Sequence, residues 1–133
     1  MESPRFLTLE EVLEIHQDQI ARYGGSAGVR DIGLLDSAVK SPAASFGGEF
    51  LLNGIFEMAA TYLFHLVKNH AFIDGNKRVG TAAALTFLQL NGISIREHEP
   101  ALSELVLGVA KGDVDRAGVV AYLESHAEKI AEE

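Results

Sequence analysis

Two long apolar segments, Phe50 to Asn69 and Val79 to Leu90, stand on either side of nine residues, His70 to Arg78. The first is apolar on more than one face, so a helix built from it belongs at the centre of the fold. The second contains Gly80, Ala82, Ala83 and Ala84, small residues that let a neighbouring helix come close. Both segments read as helices. The nine residues between them, His-Ala-Phe-Ile-Asp-Gly-Asn-Lys-Arg, are then a short loop running into a helix N-terminus.

Such a terminus offers unpaired backbone N–H groups and the positive end of the helix dipole, an arrangement suited to phosphate. Gly75 permits a tight turn and close approach of the backbone to a ligand. His70 can take up a proton, Asp74 can hold a divalent cation, and Lys77 and Arg78 can balance phosphate charge. Together these groups point to phosphoryl or nucleotidyl transfer.

Taken singly, each residue has a plainer reading. His70 can cap the preceding helix, Asp74-Gly75 can be a turn, and Asn76 can cap the following helix. Lys77 and Arg78 can be solvated charges, but cations are unfavourable at the positive end of a helix dipole unless an anion lies between. Charge distribution favours the anion. The net charge is −8, yet residues 66–80 carry three basic side chains against one acidic, and the remainder eight basic against eighteen acidic. An acidic chain with a basic pocket fits a small phosphate-bearing ligand and argues against direct nucleic-acid binding.

The rest of the chain reads as helices and turns. Thr8-Leu9-Glu10-Glu11 has the form of a capping box, followed by an apolar stripe of Leu9, Val12, Leu13, His16, Ile20 and Tyr23 that ends at Gly24-Gly25. Asp31 is placed to cap a second helix ending near Lys40, and Ser41 to Glu49 reads as a loop or small hairpin. The third helix is expected over Phe50 to Asn69, and the fourth from Asn76 or Lys77 to Leu90, closed by Asn91-Gly92. Pro100 suits the first turn of a fifth helix that stops at Gly112. Asp113 or Asp115 caps a sixth that continues to about Ile130 with a charged, frayed end. No strand ladder is evident. The expectation is one all-α domain spanning residues 1–133.

Composition narrows the setting. With 47% apolar and 23% charged residues the chain resembles an ordinary soluble globule. The absence of cysteine excludes disulfides, thiolate metal sites and a cysteine nucleophile. The most apolar stretch, Leu51 to Val67, is interrupted by Asn53, Glu57 and His65 and is not expected to span a bilayer. Glu2, Glu10 and Glu11 interrupt any secretory pattern at the start, so a cytoplasmic protein is expected. His16, His98 and His126 show no metal-ligand spacing, and His65 is expected to pack on the third helix, outside the site.

The pattern His-x-Phe-x-Asp-Gly-Asn-Lys-Arg resembles the signature of the Fic/Doc superfamily, and its lysine-containing form resembles the Doc (death-on-curing) toxin branch. The likeness extends to Arg22-Tyr23-Gly24-Gly25, Gly28 and Asp31 after the first helix. It also takes in Thr61-Tyr62-Leu63 before the motif, and Phe87-Leu88 with Asn91-Gly92 after it. Three departures separate the chain from AMP-transferring Fic proteins: Ala71 stands where those have proline, Lys77 where they have glycine, and Thr81 where they have a second arginine.

The resemblance implies a compact Fic/Doc-type bundle of about six helices and a toxin that transfers the terminal phosphate of ATP to a protein hydroxyl. In that branch the best-known target class is a translation elongation factor. His70 would be the general base, Asp74 would ligate Mg²⁺, and Gly75, Asn76, Lys77 and Arg78 would form the anion hole. The Ser41 to Phe50 loop would be a flap that aligns the target segment as an added strand. Many Fic proteins also carry an inhibitory helix with a Ser/Thr-x-x-x-Glu-Gly/Asn pattern. Here only Ser45 and Glu49 have its spacing, Phe50 follows, and Gly47-Gly48 disfavour a helix. Restraint is therefore expected in trans, from an antitoxin protein. An AMP transferase with an atypical site, a non-catalytic nucleotide- or partner-binding module and a purely structural helical domain are the alternatives.

Overall fold

The computed structural model describes residues 3–96 and 99–130; His98 and the charged end beyond Ile130 lie outside the described residues. Helix starts follow local caps. The Thr8 hydroxyl accepts from the Glu11 N–H at 3.1 Å and the Glu11 carboxylate accepts from the Thr8 N–H at 2.9 Å, closing the expected capping box of α1 (Leu9–Tyr23). Asp31 caps α2 (Ile32–Lys40) by accepting from the Leu34 N–H at 3.0 Å. After a short 3₁₀ turn at Ser41–Ala43, the chain makes a hairpin of β1 (Ser45–Phe46) and β2 (Glu49–Phe50). Gly47 and Gly48 both take positive φ, 61° and 84°, as a two-residue hairpin turn requires.

The apolar run therefore becomes helical later than its composition implies. Phe50 is in the hairpin, Gly54 enters at φ 100°, and α3 covers Ile55–Lys68. The Glu57 carboxylate accepts from the Asn53 N–H at 2.6 Å and fixes that entry. The motif loop follows, then α4 (Asn76–Leu90), closed as expected by Asn91 and by Gly92 at φ 88°. β3 (Ile93–Ile95) comes next. Pro100 stands at the N-cap of α5 (Ala101–Lys111) rather than inside its first turn, and Gly112 ends that helix at φ 86°. Of the two aspartates considered, Asp115 caps α6 (Arg116–Ser125), accepting from the Gly118 N–H at 2.9 Å.

The end of the chain differs from the expectation. The sixth helix stops at Ser125, and β4 (Ala127–Lys129) pairs antiparallel with β3, Ile93 opposite Lys129 and Ile95 opposite Ala127. Ala127-Glu128-Lys129 favours a helix by composition, but backbone bonds to the exposed edge of β3 override that preference. Arg96 N–H donates to the His126 carbonyl at 2.8 Å and Ile130 N–H to the Gly92 carbonyl at 2.9 Å.

α3 is the axis of the core. Its residues from Met58 to Leu63, with Leu66 and Val67, are buried, and α4 lies against it through Val79, Gly80, Ala83, Ala84 and Phe87. A Cβ on Gly80 would sit 2.8 Å from Val67 Cγ2 and 3.1 Å from the Leu63 carbonyl, so the two helix backbones nearly touch there. The buried Tyr62 hydroxyl accepts from the Leu7 N–H at 2.9 Å, and burial pushes its phenol up to about 12. The result is a mostly helical fold with six helices among the described residues, all-α as expected apart from two short sheets. No helix among the described residues is long and apolar enough to cross a membrane.

Candidate active site

The motif loop is fastened to the segment between α1 and α2. Val29 and Phe72 form an isolated antiparallel bridge, and Ile73 N–H donates to the Gly28 carbonyl at 3.1 Å. The Ala71 carbonyl accepts from the N–H groups of Arg30 and Asp31, at 2.8 and 3.0 Å. The Arg30 guanidinium reaches the end of α3, donating from Nε to the His70 carbonyl at 2.6 Å and from Nη2 to the Asn69 carbonyl at 3.2 Å. It thus serves carbonyls that a helix C-terminus leaves without internal partners. His70 is held at φ 51°, the one positive value among non-glycine residues described, and is exposed. For a residue with a Cβ this conformation is uncommon and is often found at functional sites.

Past Ala71 and Phe72, both buried, the chain comes out to Asp74. Its carboxylate accepts from the Ser26 N–H at 3.1 Å on Oδ2 and from the Gly75 N–H at 2.8 Å on Oδ1. These two amides, Ser26 first, hold its carboxyl below the usual carboxylate range, with smaller contributions from Arg78 and His16. Gly75 takes φ 79° and begins α4 without a side-chain cap. No acceptor among the described residues takes the N–H groups of Asn76, Lys77 or Arg78. The Lys77 side chain is exposed and has no hydrogen-bond or ion-pair partner among the described residues. The neighbouring Thr81 hydroxyl is engaged with the Lys77 carbonyl at 2.8 Å.

Two expected anion-site residues also have structural tasks. The Asn76 carboxamide closes the loop on itself, accepting from Phe72 N–H and donating to the Phe72 carbonyl, both at 3.0 Å. Arg78 Nη1 donates to the Gly24 carbonyl at 2.9 Å and the Gln19 carbonyl at 3.3 Å, tying the end of α1 to the start of α4. Gly25 packs so closely that a Cβ there would lie 2.6 Å from Asp74 Oδ2. His65 stays out of the site. It lies edge-on to Phe64, and burial, aided by Arg116, lowers its pKa.

The described residues hold no cluster of three or more histidine or carboxylate side chains able to cage a metal ion. The Asp74 carboxylate can still supply one ligand to Mg²⁺, which commonly takes one or two carboxylates and completes its shell with phosphate oxygens and water, while the unpaired N–H groups suit the phosphate itself. Beside Lys77 and Arg78 opens a cavity of about 710 Å³, whose lining mixes Gln19, Tyr23, Thr81, Glu99 and Ser103 with Leu85, Leu102, Val106 and Leu107. Ser26 and Arg30 carry no local sequence signal for these contacts, and His16 reads in the sequence only as part of the apolar stripe of α1. For His16 a signal existed: a buried polar side chain in an apolar stripe must find a partner.

Residues 6–88 match the model of the Fic/DOC family. This chain belongs to the Fic/DOC family. Among its relatives, "Protein kinase doc" of Escherichia phage P1 is 34% identical over 115 residues, covering 86% of this chain and 90% of that protein. "Toxin Doc" of Mycolicibacterium smegmatis (strain ATCC 700084 / mc(2)155) is 39% identical over 107 residues, 79% of this chain and 82% of the relative. Within the Fic/DOC family the chain thus falls beside the Doc proteins, as the lysine at position 77 leads one to expect.

Proposed function

We propose that this protein is a Doc-type toxin that transfers the γ-phosphate of ATP to a hydroxyl of a protein target, paired with an antitoxin that restrains it. The observation that carries the reading is the motif loop itself: an exposed histidine held in an unusual backbone conformation, an ionised aspartate and the open N-terminus of α4 within nine residues. The names of the two Doc relatives, one a protein kinase and one a toxin, support it.

In this reading His70 takes the proton of the target hydroxyl as its oxygen attacks the γ-phosphorus. The bond from that phosphorus to the bridging oxygen breaks, and ADP leaves. The N–H groups of Asn76, Lys77 and Arg78 and the Lys77 ammonium face the phosphate oxygens, a preorganised field for the charge of the departing group. Asp74 would hold Mg²⁺, which when bound neutralises charge shared between phosphates. Bulk and charge at Lys77 occupy the turn that glycine leaves free in AMP-transferring relatives, which favours the γ-phosphate as the group transferred.

The β1–β2 hairpin is the flap that aligns the target, an elongation-factor-like protein, as an added strand. Phe46, 83% exposed, gives it an apolar contact. An antitoxin segment that folds into a helix on binding would find apolar side chains in Leu85, Leu102, Val106 and Leu107, which line the cavity beside Lys77. A toxin of this kind works in the cytoplasm, on protein and not on nucleic acid. The deciding experiment incubates the protein in cell extract with α-labelled or γ-labelled ATP. Transfer of the γ label alone is expected, with growth arrest on expression of the toxin without its antitoxin. Transfer of the α label would make the protein an AMP transferase.

A further inference from the structure

His16 is a buried polar side chain to which the mechanism above gives no task. It lies on the inner face of α1 at 3% exposure, and its ring stack and its hydrogen bond both go to the motif loop. The imidazole stacks on Phe72, with ring centroids 3.8 Å apart and planes 9° from parallel. Nε2 stands 2.7 Å from the Asp74 carbonyl oxygen. A carbonyl only accepts, so Nε2 carries the proton.

That bond grips a single peptide unit. A trans peptide is planar, with C=O and N–H pointing opposite ways. While the Asp74 carbonyl is turned inward to His16, the Gly75 N–H of the same unit is turned to the carboxylate, where it donates to Oδ1 at 2.8 Å. Flipping this unit changes only ψ of Asp74 and φ of Gly75, and glycine accepts φ of either sign. The backbone alone resists the flip weakly; the two bonds on this peptide, to Oδ1 and to the imidazole, oppose it. A Cβ on Gly75 would lie 3.6 Å from Nε2, so the ring sits directly against the hinge.

We infer that His16 is a positioning residue for Asp74: by holding the 74–75 peptide it keeps the Gly75 N–H on Oδ1 and the carboxylate aimed at the divalent cation. The inference rests on the assignment of Asp74 as the metal ligand in the proposed function. His16→Phe keeps a ring against Phe72 and removes the donor, whereas His16→Gln restores a donor near the place of Nε2.

Amide exchange of Gly75, read by nuclear magnetic resonance, and the Mg²⁺ dependence of γ-phosphate transfer are measured in the unaltered protein and both variants, with melting temperature followed in parallel. Gly75 is expected to be protected in the unaltered protein. In His16→Phe its exchange quickens and the Mg²⁺ concentration for half-maximal transfer rises, each about tenfold, the factor that one ordinary hydrogen bond commands. Turnover at saturating Mg²⁺ is retained, and His16→Gln brings both quantities back. Free exchange of Gly75 in the unaltered protein would overturn the inference without any variant. So would a folded His16→Phe with unchanged Mg²⁺ dependence, or one that loses turnover equally at every Mg²⁺ concentration. If the unaltered protein transfers no phosphate, the proposed function fails, and Gly75 exchange still decides whether His16 holds the peptide.

Discussion

Gly25→Ala puts the smallest side chain into the tightest place around Asp74. The new Cβ would lie 2.6 Å from Asp74 Oδ2, 3.0 Å from Arg78 Nη2 and 3.1 Å from Ile20 Cδ1. Ordinary contact begins near 3.4 Å, so the carboxylate must recede by about 0.8 Å and loosen its bond from Ser26 N–H. Position 25 also holds φ 116°, a conformation open almost only to glycine, and forcing alanine into it costs about 1–3 kcal/mol. For a domain of this size each kcal/mol lowers the melting temperature by about 4 °C. A displacement approaching 1 Å at a reacting centre costs on the order of 10²-fold in rate, which is the loss expected in γ-phosphate transfer.

The same substitution has a signature in acid. The Ser26 amide is the largest cause of the lowered Asp74 pKa, so Gly25→Ala moves that pKa up toward the ordinary carboxylate range. A carboxyl with a lowered folded-state pKa contributes stability above its unfolded value and loses it as pH falls through the folded one. The variant therefore has a shallower acid arm in its stability profile. Carboxyl-carbon resonance titration of Asp74, thermal melting and the labelled-ATP assay read the three effects. A variant with unchanged melting, unchanged Asp74 titration and full transfer would refute the close packing on which the argument depends.

Three other substitutions separate site from scaffold. His70→Ala is expected to reduce phosphate transfer about 10²-fold or more, the usual contribution of a general base, with the helical circular dichroism signal retained; full activity in the folded variant would sink the mechanism. Arg30→Ala removes two bonds to the carbonyls of Asn69 and His70. It should destabilise by about 1–2 kcal/mol in denaturant melts and slow transfer as His70 leaves its φ, and undiminished transfer would show that the brace does not matter to the base. Gly80→Ala meets Val67 Cγ2 at 2.8 Å and the Leu63 carbonyl at 3.1 Å. Overpacking of about 1–3 kcal/mol should outweigh the roughly 1 kcal/mol gained in helix propensity, so a higher melting temperature would contradict the α3–α4 contact described here.

What the sequence determined by itself was local. Thr8 with Glu11, Asp31, Asn91-Gly92 and Gly112 mark helix ends because caps and left-handed turns act between residues a few positions apart. The motif was legible for the same reason, since its histidine, aspartate, glycine and cations are contiguous and need no fold to bring them together. Tertiary structure decided whatever depends on partners distant in the chain. Ala127–Lys129 became a strand because β3 had an unpaired edge. The bracing of the motif belongs to this second class. Ser26 lies 48 residues from Asp74, Arg30 40 from His70, and His16 58 from Asp74. Nothing in the local pattern shows a histidine of α1 bonded to a carbonyl of the loop before α4, because that bond exists only once the two segments have packed.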